Sequence, residues 1–428
     1  MKSKILVSLM LILASAMSFG QSENETVRSL NVDEAVELAK KNNVSVARSQ
    51  ITLDAVARAK AHSWNSMSPS ASVSASSTVP IDALSDSDSN YTASFGVSAT
   101  VSVSLSANLF TSMNAAKIAY ESGKLTFDDA VKSVELGVRE AFYGLLYERE
   151  NIILQERNLE IAKTQYSNNL AKYNQGRLSE IDVLSAEVNY KSKIPTVESA
   201  RTTFLNDLAS FKQTLGLHLA EKIELAGTLD DLINLNEISV DVKNVQSSSI
   251  KLLEYELENA KNSVLEKRFS AFAPSLKASF NWSDGTAPDA QKTASLGLSA
   301  TIPLDGVLPW SARNDAIDSA QDTVKDLELQ LDNEKKNLTR TVMSSLRSIK
   351  QSQESIKYKQ ANVTLAQKTY DMTAEAYNRG TKDLLTLQNA NTSLLNAQVS
   401  LKSETLTLIK TILNLENTIG VDFGTLGK

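Results

Sequence analysis

Side chains able to do covalent or metal chemistry are scarce in these 428 residues. There is no Cys, and the only histidines are His62 and His218. That removes disulfides, a thiol nucleophile, a Cys zinc site and a Cys-linked lipid anchor. It leaves almost no material for a His-rich metal centre or a Ser-His-Asp triad. One cation loop begins well, at Asp86-Ser87-Asp88-Ser89-Asn90. Its sixth position is Tyr91 instead of Gly and its twelfth is Val97 instead of Glu, so the ligand set fails. The segment reads as an acidic, Ser-rich loop. Glu-Lys pairs elsewhere are ordinary solvated helix faces. No catalytic, cofactor-binding or metal site emerges, and an enzyme reading has no acid–base cluster behind it. Function has to come from architecture.

The composition points the same way. Acids outnumber bases by 50 to 44, which argues against a nucleic-acid partner. Length alone suggests about three domains. Aromatics make up 6%, and there are only 15 Gly and 7 Pro, so long regular elements are expected. The first 20 residues read as a secretory signal. Lys2 and Lys4 form its charged start, residues 5–17 its apolar stretch, and Ser18-Phe19-Gly20 its small-residue cleavage site. About 15 apolar residues fall short of the roughly 20 a membrane-spanning helix needs. Removing the two lysines leaves 42 bases against 50 acids, a mature charge of −8. Nothing after residue 20 reads as a spanning helix. The mature protein is expected to be exported, and any membrane span must be β.

The chain reads as two copies of one unit. Tyr173-Asn174-Gln175-Gly176 recurs as Tyr377-Asn378-Arg379-Gly380, 204 positions on. Ala186 and Ala390 keep that spacing, as do Gly216 and Gly420, and Ser68-Pro69-Ser70 pairs with Ala273-Pro274-Ser275. The first copy covers residues 21–217 and the second 251–420. A linker with short elements lies at 218–250, and a tail at 421–428.

Each copy carries a strand hairpin, at about 70–110 and 275–304. From Tyr91 the odd positions run Tyr, Ala, Phe, Val, Ala, Val, Val, Leu, while the even ones are almost all Ser or Thr. Period two over so long a run is a strand with one greasy and one hydroxyl-rich face. Such strands could reach the about 9–11 residues that span a membrane. Four strands cannot close a barrel, and an open edge is forbidden in lipid. Spanning therefore requires pooled chains, eight strands from two or twelve from three. A soluble sandwich would alternate in the same way.

Long helices follow the hairpins, at 112–172 and 311–379. In the first copy apolar residues recur at Phe127, Val131, Val134, Val138, Ala141, Leu145, Ile152, Leu159, Tyr166, Leu170 and Tyr173. In the second they are Ile317, Ala320, Val324, Leu327, Leu331, Leu338, Val342, Leu346, Ile349 and Ile356. These are coiled-coil spacings. At 1.5 Å per residue each helix would reach about 90–100 Å. The tips lie at 173–180 and 377–383. Return helices run to 217 and 419, the first kinked at Pro195.

This order of parts resembles the TolC-type outer-membrane efflux and secretion channels, over about residues 28–420. The resemblance rests on Leu30-Asn31-Val32-Asp33-Glu34-Ala35-Val36, on Pro69-Ser70 and Pro274-Ser275, on Ile302-Pro303-Leu304, and on the two tips. It implies a mixed α/β membrane protein. A homotrimer would share one twelve-stranded transmembrane β-barrel, four strands per chain, above a long helical coiled-coil barrel in the periplasm. It implies no cofactor. It implies as partners a second and third copy, outer-membrane lipid, a periplasmic adaptor protein and an inner-membrane transporter.

The resemblance also assigns the tips. Asp182, six residues after Gly176, matches an acid that helps close the aperture. Tyr377 and Lys382 match a Tyr and a basic residue of the second tip, so an Asp182–Lys382 ion pair is expected as a latch. Tyr173, Gly176, Tyr377 and Gly380 mark the turns where the adaptor docks. Two pore acids of the family's pattern are replaced by Thr386 and Asn389, and Asp383 sits at a different helical angle. The first copy's second strand is expected to end at Ala107-Asn108-Leu109-Phe110, without the family's Pro. Trp282 and Tyr91 fit interface belt positions, and Trp64 and Trp310 the periplasmic junction; core packing suits each equally. The alternative to a channel is an exported coiled-coil scaffold or adhesin that opens no pore.

Overall fold

The structure, a computed structural model, describes residues 28–78, 94–230, 238, 247–286 and 292–426. The expected export segment, Tyr91 and the loop expected at 86–90 lie outside the described residues.

The chain opens with a three-residue strand, β1 (Arg28–Leu30), and two short helices, α1 (Val32–Asn42) and α2 (Val44–Ala61). Asn31 starts α1 with a capping box. Its Oδ1 accepts from Glu34 N at 2.8 Å, and Glu34 Oε2 accepts from Asn31 N at 3.1 Å. Strands β2 (Ser70–Thr78) and β3 (Ser94–Ser106) follow, then the 67-residue helix α3 (Asn108–Asn174) and the return helix α4 (Glu180–Thr214). The second half repeats that order. After β4 (Ile223–Leu225) come α5 (Ser248–Phe272), β5 (Ser275–Gly285), β6 (Thr293–Thr301), the 67-residue α6 (Ala312–Asn378) and α7 (Leu384–Ile419). Each long helix spans about 100 Å.

Some details depart from the sequence reading. Asn108-Leu109-Phe110 is the first turn of α3 and not a strand end. Asn108 Nδ2 donates to Ser270 Oγ at 2.7 Å, and Thr111 Oγ1 donates to the Asn108 carbonyl at 2.9 Å, which closes that turn. Helix α4 continues through Pro195, whose ring removes one backbone donor. The buried stripe of α3 shifts as it nears the tip. Val138, Phe142, Leu145 and Leu146 are buried as apolar positions should be, but farther on the buried residues are Asn158, Ala162 and Asn169. Leu159 and Tyr166 are half-buried there, and Leu170 and Tyr173 are exposed. The cause is that α3 packs against α4 and also against α7, so no single seam describes it. Of the seam expected in α6, Ile317, Leu327, Val342, Ile349 and Ile356 are buried, while Ala320, Val324, Leu331, Leu338 and Leu346 are half-buried.

The four long strands form one antiparallel sheet in the order β2-β3-β5-β6. Its register puts Val97, Ala99, Val101, Val103 and Leu105 beside Asp284, Trp282, Phe280, Ala278 and Leu276. Leu296 and Leu298 continue this apolar face on β6, beside Phe280 and Ala278. The opposite face is Ser and Thr with a few exceptions. Hydroxyls meet across it, as in Ser74–Ser98 at 2.9 Å and Thr100 to Asn281 Oδ1 at 3.1 Å. No described element covers the apolar face, where Leu296 is 84% and Leu298 81% exposed. Trp282 lies on this face. Trp64 and Trp310 are exposed, so neither packs into a core within one chain.

The main core sits at the middle of the molecule. The parallel pair β1–β4 and helix α1 wrap around α3, α4 and α7 there. Phe142 and Phe211 meet at its centre, with ring centroids 6.3 Å apart. Burial of each such side chain is worth about 1.5–3 kcal/mol. A second cluster joins Val342, Ile349 and Ile356 of α6 to Leu408, Ile412 and Leu415 of α7. This core fixes the roots of both helix hairpins and thereby aims their tips.

Candidate functional site

Both tips are built by the same local chemistry. Gly176 and Gly380 have φ of +72° and +75°, the left-handed region that ends helices and favours glycine. At the first tip Gly176 N donates to the Tyr173 carbonyl at 2.8 Å and Arg177 N to the Lys172 carbonyl at 2.9 Å. At the second, Gly380 N donates to the Tyr377 carbonyl and Thr381 N to the Ala376 carbonyl, each at 2.9 Å. This doubled hydrogen-bond pattern is the reason Tyr-Asn-x-Gly recurs. Three residues beyond each glycine stands the cap of the return helix. Ser179 Oγ accepts from Asp182 N at 3.3 Å, and Asp383 Oδ1 accepts from Thr386 N at 2.7 Å.

The tip residues fall into two groups. Tyr377 feels the charge of Asp182. Burial pushes the Tyr377 phenol above its ordinary pKa, a hydrogen bond with Asn169 opposes this, and the charge of Asp182 raises it further. The Tyr377 hydroxyl donates to Asn169 Oδ1 at 2.6 Å, and Lys172 Nζ lies 5.2 Å from the Tyr377 ring centroid. Lys382 stands apart. Among the described residues it forms no ion pair with Asp182 within one chain; Asp182 instead accepts from Ser179 Oγ at 2.6 Å. Asp383 is the helix cap, and its bonds to Thr386 hold its carboxyl below the usual range. Tyr173 is exposed.

Sequence reasoning missed the polar residues beneath these tips. Asn169 is fully buried, as are Asn158 and Asn391 nearly so, and Asn391 Nδ2 donates to Asn158 Oδ1 at 2.6 Å. The one available signal was polar residues beside an apolar stripe, at spacings that place them on its edge. Above them a groove of about 280 Å³ opens between α3 and α6, lined by Arg157, Glu160, Gln165, Asn168, Tyr370 and Asn378. No group of acids and histidines that could hold a metal occurs among the described residues.

A sheet with one greasy and one hydroxyl face, joined to paired helices about 100 Å long, defines the class of outer-membrane channel chains. Solved structures share the whole arrangement. The CmeC outer membrane channel of Campylobacter jejuni matches with a TM-score of 0.74 at 20% identity, covering 91% of this chain and 85% of that one. CusC matches at 0.75 and 13% identity, covering 95% and 96%. VceC of Vibrio cholerae matches at 0.72 and 14%, covering 92% and 96%. No curated protein matches the sequence.

Residues 35–217 and 245–421 match the outer membrane efflux protein family, and the chain belongs to it. It is an efflux channel protein of the outer membrane. No described helix is long and apolar enough to cross a membrane.

Proposed function

We propose that three copies pool their sheets into a twelve-stranded barrel and form a passive exit duct, fed by a periplasmic adaptor and an inner-membrane efflux or secretion transporter. The observation that carries this reading is the bare sheet. Its apolar face is uncovered, and β2 and β6 are its free edges among the described residues. In lipid such edges must be paired, and a neighbour's edges supply the pairing. The apolar face then meets lipid and the hydroxyl face lines water.

The helices carry the duct through the periplasm to the tips. Asp182, Tyr377 and Lys382 act as the gate, and Tyr173, Gly176, Tyr377 and Gly380 shape the turns that the adaptor contacts. Since Asp182 and Lys382 do not pair within a chain, a latch between them runs between neighbours. If exposed, each such pair is worth only about 0–1 kcal/mol, so it biases the gate without locking it. Opening is a switch between two packings of rigid hairpins.

The test is the native mass of the mature protein in mild detergent, with conductance in a planar bilayer. A detergent-dependent particle of three chains that conducts supports the duct. A monomer or dimer released by salt alone sinks it. Replacing both Asp182 and Lys382 with Ala should raise single-channel conductance; an unchanged value removes the latch and leaves the duct standing.

A further inference from the structure

Among the described residues the hydroxyl face of the sheet carries one charged side chain, Lys277. On that face β2 shows Ser70, Ser72, Ser74, Ser76 and Thr78, and β3 shows Ser, Thr and Gly at every position from Ser94 to Ser106. β6 shows only Thr, Ser and Gly, and β5 adds Asn281 to its serines. Lys277 lies between Ser104 on one side and Ser299 on the other. It is exposed, and among the described residues no acid pairs with it. The other charge on β5, Asp284, belongs to the opposite face at the far end of the strand, where it pairs with Lys292 at 3.3 Å.

Position gives the charge its effect. Lys277 is two residues into β5, and its neighbour Ser104 stands four residues before α3 begins at Asn108. It therefore sits at the helix-proximal end of the sheet, about 20 Å from Ser283 near the far end. Among the described residues of this wall of hydroxyls the charge meets no counter-charge to cancel it. Rings of lysine select for anions in pores, and a cleft of one sign concentrates the opposite ion.

We propose that Lys277 forms a ring of three ammonium groups at the junction of β-barrel and helical barrel, and that this ring favours anionic solutes in transit. The proposal rests on the duct reading above. The ring acts on whatever passes as a local bias: it raises the concentration of anions at the junction and lowers that of cations. Its reach is one Debye length, about 10 Å at 0.1 M salt and about 3 Å at 1 M.

The test compares wild type, Lys277→Ser and Lys277→Glu in planar bilayers under a tenfold KCl gradient at low salt. The chloride-to-potassium permeability ratio should fall at least about twofold from wild type to Lys277→Glu, with Lys277→Ser between them. The difference should shrink in 1 M salt. Equal ratios in three conducting channels overturn the ring and leave the duct intact. No conductance from any of them overturns the duct itself. Should Lys277→Glu fail to assemble, Lys277→Cys carries the test, because the chain has no other thiol. A cationic thiosulfonate on that thiol should restore the wild-type ratio, and an anionic one should lower it further. A thiol at 277 no more reactive to a water-soluble reagent than one placed at Leu276 puts the residue outside the lumen and ends the proposal.

Discussion

The hydroxyl of Tyr377 donates to the side-chain oxygen of Asn169 at 2.6 Å, across 208 positions of sequence. It ties the last turn of α6 to α3 and so joins the two helix hairpins close to their tips. Asn169 is fully buried, and its Nδ2 has no partner among the described residues, so this bond is the one its side chain makes. Tyr377→Phe leaves that amide unpaired at a cost of about 1–3 kcal/mol. The variant should conduct more than wild type, because the hairpins part more readily. Conductance and antibiotic leakage equal to wild type would show that the bond does not restrain the tip.

The Asn158–Asn391 bond holds α3 against α7 in one register. Both side chains are nearly buried, so losing one strands the other. Asn391→Leu should lower stability by about 1–3 kcal/mol, while pairing it with Asn158→Leu should recover most of the loss. Thermal unfolding of the purified protein for the two single variants and the double gives the coupling. Additive losses would mean that the two asparagines act independently.

Glu416 of α7 is fully buried, and its carboxylate folds the C-terminal segment onto the core. It accepts from Gly424 N at 2.9 Å and from Thr425 N and Leu426 N at 2.8 Å each. Glu416→Gln replaces one acceptor oxygen with a donor facing those N–H groups. The change should cost about 2–3 kcal/mol and expose the segment after Gly420 to protease. A digestion pattern identical to wild type would count against this role.

Glu148 gives the stability a pH dependence. Burial, then a hydrogen bond and repulsion from Asp207, push its pKa from 4.5 up to about 7, against the pull of Lys410. The folded chain thus holds this proton more tightly than the unfolded chain. Stability contributed here is full below pH 4.5 and is lost as pH rises toward about 7. Glu148→Gln should flatten the fall in melting temperature across that window. An unchanged slope would assign the dependence to other groups.

Much of this architecture was legible because it is periodic. The alternation around Val97 to Leu105 needs only the two-residue repeat of a strand, and the seam from Ile317 to Ile356 needs only helical spacing. Gly176 and Gly380 could be read because a helix end of this kind demands a left-handed residue. The tip lock was not legible. Asn169 and Tyr377 are local to nothing but each other, and their meeting depends on how two hairpins lean together from a core far away. Lys382 shows the same limit from the other side: its spacing fits a latch, yet among the described residues of one chain it makes no ion pair with Asp182.

The sequence by itself determined the two-copy order of strands and helices, the two faces of the strands and the turns at the tips. All of these follow from local backbone chemistry and from which residues shun water. Tertiary structure alone decided which polar side chains are buried in pairs, that Asp182 and Lys382 stay apart within one chain, and that among the described residues one lysine stands on a wall of four strands that is otherwise uncharged. Those facts depend on the register between elements brought together from distant parts of the chain, and register is set by packing, which no local pattern encodes.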